Sequence, residues 1–326
     1  MKRLNGSVLL LGALLAPGAP AQQSPRAQSL GSLPKLFSEL DSLIARRDYT
    51  QAEHLVDHHL AQGEDPAVIY FEAAKAHFAH DDWRRSAGYF EKSLALNPEN
   101  AEAHRLLGLD WRELHRPDAA ETEMLEAAKQ DPLNQINAYF AGQQLLLNGK
   151  IELALPYLYR ALDSESLRCQ VQQALGLAQA RLGNYGLAES YYRKAIESAQ
   201  APEDRYASRV NLSILLLLGH DSARIEEGLS YAQQAGKLEP NSAAAHFLVG
   251  KALYKLGRLE EARSELERAA TLNPGDSKPH FLLGRVYDQL GQHDRAENEM
   301  QIVSRIQARP GQTGMATMDP SPITPE

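Results

Sequence analysis

Along most of the chain the small and apolar positions recur every 34 residues, with polar positions between them. Gly108, Gly142 and Gly176 keep this spacing, as do Ala120, Ala154 and Ala188, and Ala127, Ala161 and Ala195. The phase breaks once and resumes at Gly250 and Gly284, with Ala262 to Ala296 and Pro240 to Pro274 again 34 apart. A period of this length predicts stacked helical hairpins, each burying its apolar face only against its neighbours. The small residues predict close approach of the two helices of a hairpin, with larger apolar residues filling the remaining space. Pairs such as Leu256-Gly257 predict the end of a first helix, because Gly accepts the left-handed conformation of a C-cap. Pro274, after Leu272-Asn273, predicts the stop of a second helix.

Two windows carry the pattern most fully. Residues 243–276 hold Gly250, Leu256-Gly257, Ala262, Ala269 and Pro274, and residues 277–308 hold Gly284, Leu290-Gly291 and Ala296. These windows resemble tetratricopeptide repeats, and 101–134 does so through Leu107-Gly108, Ala120, Ala127 and Pro132. The window 67–100 matches through Phe90 and Asn97-Pro98; 135–168 and 169–202 keep the glycines and alanines but lack the closing proline in its usual place. The window 203–242 carries six extra residues, since Gly176 and Gly250 are 74 apart, and the turn Gly219-His220-Asp221-Ser222 is a place for some of them. Residues 33–66 resemble a divergent first repeat through Tyr49, Ala52 and Pro66. The resemblance implies an all-α, right-handed solenoid of about seven to eight helix-turn-helix repeats over 33–308.

It also implies a binding groove, lined in this family by the second, fifth, ninth, twelfth and thirteenth positions of each first helix. Carried onto this chain, those positions give Phe71, Lys75 and Phe78, then Arg105, Leu109 and Arg112, then Tyr139 and Gln143. Further on they give Phe247, Lys251 and Tyr254, then Lys278, Phe281 and Arg285. Aromatic anchors and Arg are the side chains that dominate interface energies. The alternative is that some of the aromatics pack on neighbouring helices and the bases are merely solvated. The family's best-known groove grips a C-terminal carboxylate with paired Lys/Arg and Asn. Here the matching positions carry Arg105 with Leu109, and Phe247 with Lys251, so the asparagines are missing.

The N-terminus departs from the repeat. Lys2 and Arg3 precede the apolar run 8–15, and Ala19-Pro20-Ala21 stands before Gln22-Gln23. That is the build of a secretory signal peptide over 1–21, followed by a Gln/Ser/Gly-containing linker over 22–32. An uncleaved anchor is the competing reading, and the apolar run is short for spanning a bilayer. Export to a bacterial periplasm or the extracellular space follows as an expectation. Residues 309–326 are proline-rich, without apolar periodicity, and read as a disordered tail.

Charge and candidate chemistry narrow the function. The formal charge is −8, and loss of Lys2 and Arg3 would make it −10, which does not suit nucleic acid. Cys169 is the only cysteine, so no intramolecular disulfide is possible, and its neighbours Leu167 and Val171 favour a packed thiol over a reactive one. His54 and His58 share a helix face with metal-clamp spacing, but no third ligand is placed by the sequence. His77 and His80 with Asp81-Asp82 read as a solvated turn. His104, His246 and His280 fall at one repeat position, four residues before the small Gly, which marks a packing role. Asn211-Leu212-Ser213 is a glycosylation sequon inside an apolar helix. No nucleophile motif, phosphate loop or Cys-x-x-Cys pair appears.

The expectation is therefore a non-catalytic, exported scaffold without cofactor or metal, holding a protein or peptide partner in its first-helix groove. The alternative is an accessory or regulatory subunit of a cell-envelope enzyme or secretion complex, using the convex face or the C-terminal helix. The processing expectation is directly measurable. Expressed with its own leader, the protein should have the intact mass of a chain beginning at Gln22, and a stable product retaining Met1 would overturn export.

Overall fold

Polar caps divide the chain into helices before any packing is considered. Asp65, Asn100, Asn134, Ser242 and Asp276 each accept a hydrogen bond from a backbone N–H of the helix they precede, satisfying donors that the first turn leaves open. The computed structural model describes residues 33–308; the expected signal peptide, linker and tail lie outside them.

Among the described residues there are sixteen helices and no strand. They pair as α1 (Leu33–Ala45) with α2 (Tyr49–Ala61), α3 (Pro66–Ala79) with α4 (Trp83–Leu96), α5 (Ala101–Glu113) with α6 (Pro117–Gln130), and α7 (Gln135–Leu147) with α8 (Ile151–Arg160). The pairing continues with α9 (Arg168–Arg181) and α10 (Tyr185–Ser198), α11 (Pro202–Leu216) and α12 (Ser222–Leu238), α13 (Ala243–Lys255) and α14 (Leu259–Leu272), and α15 (Ser277–Gln289) and α16 (His293–Gln307). The described residues divide into two compact units that part between Leu167 and Arg168, so α1–α8 belong to the first and α9–α16 to the second.

One contact recurs in five hairpins. A side chain of the second helix lies flat on the repeat glycine of the first. A methyl added to Gly108 would stand 2.7 Å from Cγ of Met124, and one on Gly142 2.8 Å from Cγ of Leu158. The Tyr192 ring covers Gly176 at 2.5 Å and Leu266 covers Gly250 at 2.6 Å on the same measure; Met300 covers Gly284. Real side chains do not tolerate such distances, so only a residue without Cβ lets the helices meet here. The partner alanines Ala120, Ala154, Ala188 and Ala262 are fully buried on the other side of the crossing.

The out-of-phase hairpin α11–α12 has no glycine on its first helix, and a Cβ added to Gly228 on the second would stand 3.1 Å from Leu217. Its first helix carries Ser213, whose hydroxyl donates to the Gly228 carbonyl at 2.8 Å, and the second helix supplies the glycine. Ser213 and Gly228 are fifteen residues apart, where Gly250 and Ala262 are twelve, so half of the six-residue excess lies between the two small positions. Residues 217–221 form a longer turn than 256–258, and the rest lengthens the helix ends and the approach to α11. The sequon serine is thus committed to the core.

The turns within hairpins repeat as strictly. Arg47, Asp81, His115, Gly149, Gly183, Gly257 and Gly291 all have positive φ, between 58° and 79°. Four are glycine, three of them in Leu-Gly pairs and Gly149 after Asn148; the other three accept a conformation that costs an ordinary residue about 1 kcal/mol or more.

The recurrent histidines are clamps between helices. His104, His246 and His280 each bring Nδ1 within 2.6 Å of a carboxylate nineteen residues on, in Glu123, Glu265 and Glu299. Nε2 of His104 and of His246 faces the carbonyl of Pro98 and Pro240, six residues back, at 3.0 and 3.1 Å. Burial opposes charge on His104, but the Glu123 carboxylate and Pro98 carbonyl outweigh it and hold its pKa above that of a free imidazole. Cys169 is buried, with its thiol facing the Ala195 carbonyl at 3.3 Å.

These contacts set a stability test. Ala262→Leu overpacks the crossing of α13 and α14 and should cost about 1–3 kcal/mol. His115→Gly removes the left-handed strain and should stabilise by about 0.5–1 kcal/mol, net of the greater freedom of an unfolded glycine. Urea titration followed by circular dichroism should move the two midpoints in opposite directions.

Candidate binding face

The first-helix residues fall into two groups, one in each unit. In the first unit, Lys75 of α3 sits 5.4 Å from the centre of the Phe37 ring and 5.1 Å from that of Phe71, and pairs with Glu72 at 3.3 Å. Burial raises the pKa of Glu72, against the pull of Lys75. On α5, Arg112 donates to Oε1 of Gln143 at 3.0 Å, and Gln143 donates to the Tyr139 hydroxyl at 2.8 Å, a chain joining α5 to α7.

Three expected lining residues are core instead. Phe78 is 5% exposed, packed edge-on against Trp83, and Tyr139 is 3% exposed against Phe140. Leu109 is also buried. Arg105 is 6% exposed; its Nε and Nη1 have no hydrogen-bond partner and its nearest carboxylate, Glu102, stands 3.7 Å away. Burial draws the pKa of both Arg105 and Arg112 below the ordinary guanidinium value, partly offset by Glu102 and Glu113 respectively. Phe71 and Phe78 therefore pack on the neighbouring helix α4, as the alternative reading has it, while Tyr139 packs against the next residue of its own helix.

In the second unit the side chains stand further out. Phe281 of α15 is 50% exposed, and Arg285, one turn on, places its guanidinium 5.4 Å from the centre of the Tyr254 ring on α13. Gln289 donates to the Tyr254 hydroxyl at 3.2 Å. Phe247 packs at the margin of the α13–α15 core, and Lys278 is exposed. Lys251 has a near neighbour at the thirteenth position of the same repeat, Lys255, which the residues named as expected lining did not include. Burial and the charge of Lys251 lower the pKa of Lys255, whose ammonium donates to the Gly219 carbonyl at 2.7 Å. The face thus joins aromatic surface to clustered positive charge.

The other candidates resolve into structure. His58 bonds Gln62 and His59 bonds Glu64. His77, expected in a solvated turn, is buried between the rings of Tyr49 and Tyr89 and bonded to Asp82, while His80 reaches Asp41. Among the described residues no group of three or more His, Cys, Asp or Glu is placed to hold a metal ion, and no helix is long and apolar enough to cross a membrane.

Asp110 is the titratable group that the repeat pattern does not reveal. It is fully buried on α5 and neither carboxylate oxygen has a hydrogen-bond partner. Its pKa is pushed up to about 8; burial is the main cause, the Asp82 and Glu113 carboxylates add to it, and the nearby Ser86 hydroxyl works against it.

Comparison with known proteins places the architecture. Family models for the tetratricopeptide repeat match residues 71–134 and 221–277, 260–310, and 170–202, together more than half of the chain. No curated protein matches. Among solved structures, Cut9–Hcn1, an APC/C hetero-tetramer, is similar at a TM-score of 0.61 and 20% identity over 80% of this chain, which spans half of that one. A tetratricopeptide repeat protein from Parabacteroides merdae is similar at 0.59 and 16% identity, covering 74% of this chain and 93% of its own. PilW, a type IV pilus biogenesis factor, is similar at 0.59 and 18% identity, covering 67% and 98%. At these identities the likeness is one of fold.

Asp110 gives a pH test. A carboxyl whose folded pKa lies above its unfolded value near 4 binds the extra proton only in the folded state, so stability falls as pH rises between the two, by about 1.4 kcal/mol per unit. Asp110→Asn should therefore gain on wild type in thermal melts as pH is raised from about 5 to about 8. Equal pH slopes for the two proteins would show that Asp110 is ionised in the fold.

Proposed function

Because the chain belongs to the tetratricopeptide repeat family, whose members serve as protein-interaction scaffolds, we propose that it is a non-catalytic, exported scaffold that holds an acidic segment of a protein partner on the first-helix face of its second unit. The observation that carries this reading is Phe281: a large aromatic, half exposed, standing one turn from an arginine that is itself stacked on Tyr254 of the neighbouring first helix. Such a group offers apolar anchoring and charge attraction together. Phe247 extends the aromatic surface along α13, and Lys251, Lys255 and Lys278 supply positive potential on a chain of net charge −8. The N-terminal leader supports export. Envelope assembly is part of the proposal through that leader alone.

The test begins by copurifying the partner from the native envelope and measuring its binding by calorimetry at two salt concentrations. Phe247→Ala with Phe281→Ala should weaken binding by about 2 kcal/mol or more. Lys251→Ala with Arg285→Ala should instead flatten the salt dependence, since exposed charges act through a screened field. Circular dichroism should show the helical fold kept throughout. A quadruple variant that binds as tightly as wild type overturns the assignment of this face.

A further inference from the structure

The first unit holds a second site, built from residues that line no first-helix groove. Arg84, Ala87, Gly88 and Glu91 of α4 face Trp111 of α5 and Arg116 of the following turn across a cavity of about 390 Å³. The spacing 84, 87, 88, 91 places four residues on one side of α4. Its floor is low: Ala87 is buried, and a Cβ added to Gly88 would meet nothing within 4 Å. Its wall is Trp111, with the Arg116 guanidinium 5.0 Å from the ring centre. The left-handed turn at His115 and the bond from Arg116 N–H to the Trp111 carbonyl at 2.8 Å fix the backbone that carries this arginine.

The charges here are unspent. Arg85 is paired with Asp82 and stacked on Tyr49, whereas neither Arg84 nor Arg116 has a carboxylate within ion-pair distance among the described residues. The corresponding groove one repeat on shows the contrast. Leu125, Leu153, Pro156 and Tyr157 line it with two acids, Glu121 and Glu152; there Lys150 is paired with Glu121 at 2.6 Å and Arg160 donates to the Ala128 carbonyl. A cavity that combines two unpaired guanidiniums, an indole face and a missing side chain fits a carboxylate beside an apolar group.

We propose that this cavity is a docking site for a protein segment carrying Asp or Glu next to an apolar side chain. The carboxylate sits between Arg84 and Arg116, and the apolar group lies over Gly88 against Trp111. Glu91, two turns along α4 from Arg84 and so about 10 Å away, disfavours a second acid at the far end and gives the segment a direction.

The probe is the peptide acetyl-Gly-Asp-Leu-Phe-Gly-amide, with its Asn counterpart as control. In the full chain carrying Trp83→Phe, Trp111 is the single tryptophan, because the sequence has two, and its indole N–H resonance reports on the cavity. The Asp peptide should shift that resonance saturably, and the Asn peptide should bind about tenfold more weakly, the effect of losing one charge-assisted hydrogen bond. Arg84→Gln and Arg116→Gln should each weaken the Asp peptide by a similar factor. Gly88→Leu should abolish the shift while leaving the thermal melt no lower than that of the parent, since its Cβ has no atom within 4 Å and the rest of the side chain extends into the cavity. Phe281→Ala should change nothing, which separates this site from the face proposed for the second unit. Equal affinity for the two peptides, no saturable shift, or full binding to the Gly88→Leu protein would each overturn the proposal.

Discussion

The contact on which the molecule depends is the crossing of first and second helix over a residue without a side chain. Gly108, Gly142, Gly176, Gly250 and Gly284 each lie under a Met, Leu or Tyr of the partner helix at distances that leave no room for a Cβ. Interiors packed at crystal density transmit such constraints, so this one position fixes the approach of the two helices and, through it, where every other residue of the hairpin points. The hairpin α11–α12 is joined differently, through the Ser213 hydroxyl and the Gly228 carbonyl. There Gly228 lies against Leu216 and Leu217, and the serine hydroxyl takes its carbonyl as partner.

Because the constraint is periodic, it was legible in the sequence. The glycines, the alanines, the left-handed turns at Gly149, Gly183, Gly257 and Gly291 and the clamp position of His104, His246 and His280 all follow the 34-residue phase. The carboxylates that complete the clamps were just as periodic, at nineteen residues beyond each histidine, and were visible had the pairs been counted together. The three non-glycine turns at Arg47, Asp81 and His115 were hidden because nothing in residue type marks a tolerated strain.

The binding face was legible by position but not by burial. Position counting selects Phe78, Tyr139 and Phe281 alike, yet the first two are closed over by Trp83 and Phe140 and only the third stands in solvent. What separates them is a large side chain close by, Trp83 on the second helix of the same hairpin for Phe78 and Phe140 on the same helix for Tyr139, which the lining positions alone do not count. The lysines Lys251 and Lys255 stand at the ninth and thirteenth positions of their repeat, both lining positions, and a helix turn brings the two charges together.

Helix α5 shows how a periodic frame carries aperiodic chemistry. Gly108 is fixed by the crossing with α6, and that one restraint sets the rotation of the helix. Asp110, Trp111 and Arg112 then follow in sequence and must diverge, since successive helical residues turn by about 100°. Asp110 enters the core near Ser86, Trp111 forms the wall of the cavity on α4, and Arg112 reaches Gln143 on α7. None of the three is required by the crossing, so each is free to differ from repeat to repeat. The equivalents of Trp111 one repeat later and earlier are Leu145 and His77, one lining a groove and the other buried between tyrosines. The residue held at the crossing makes the fold, and the residues beside it are where function is free to be written.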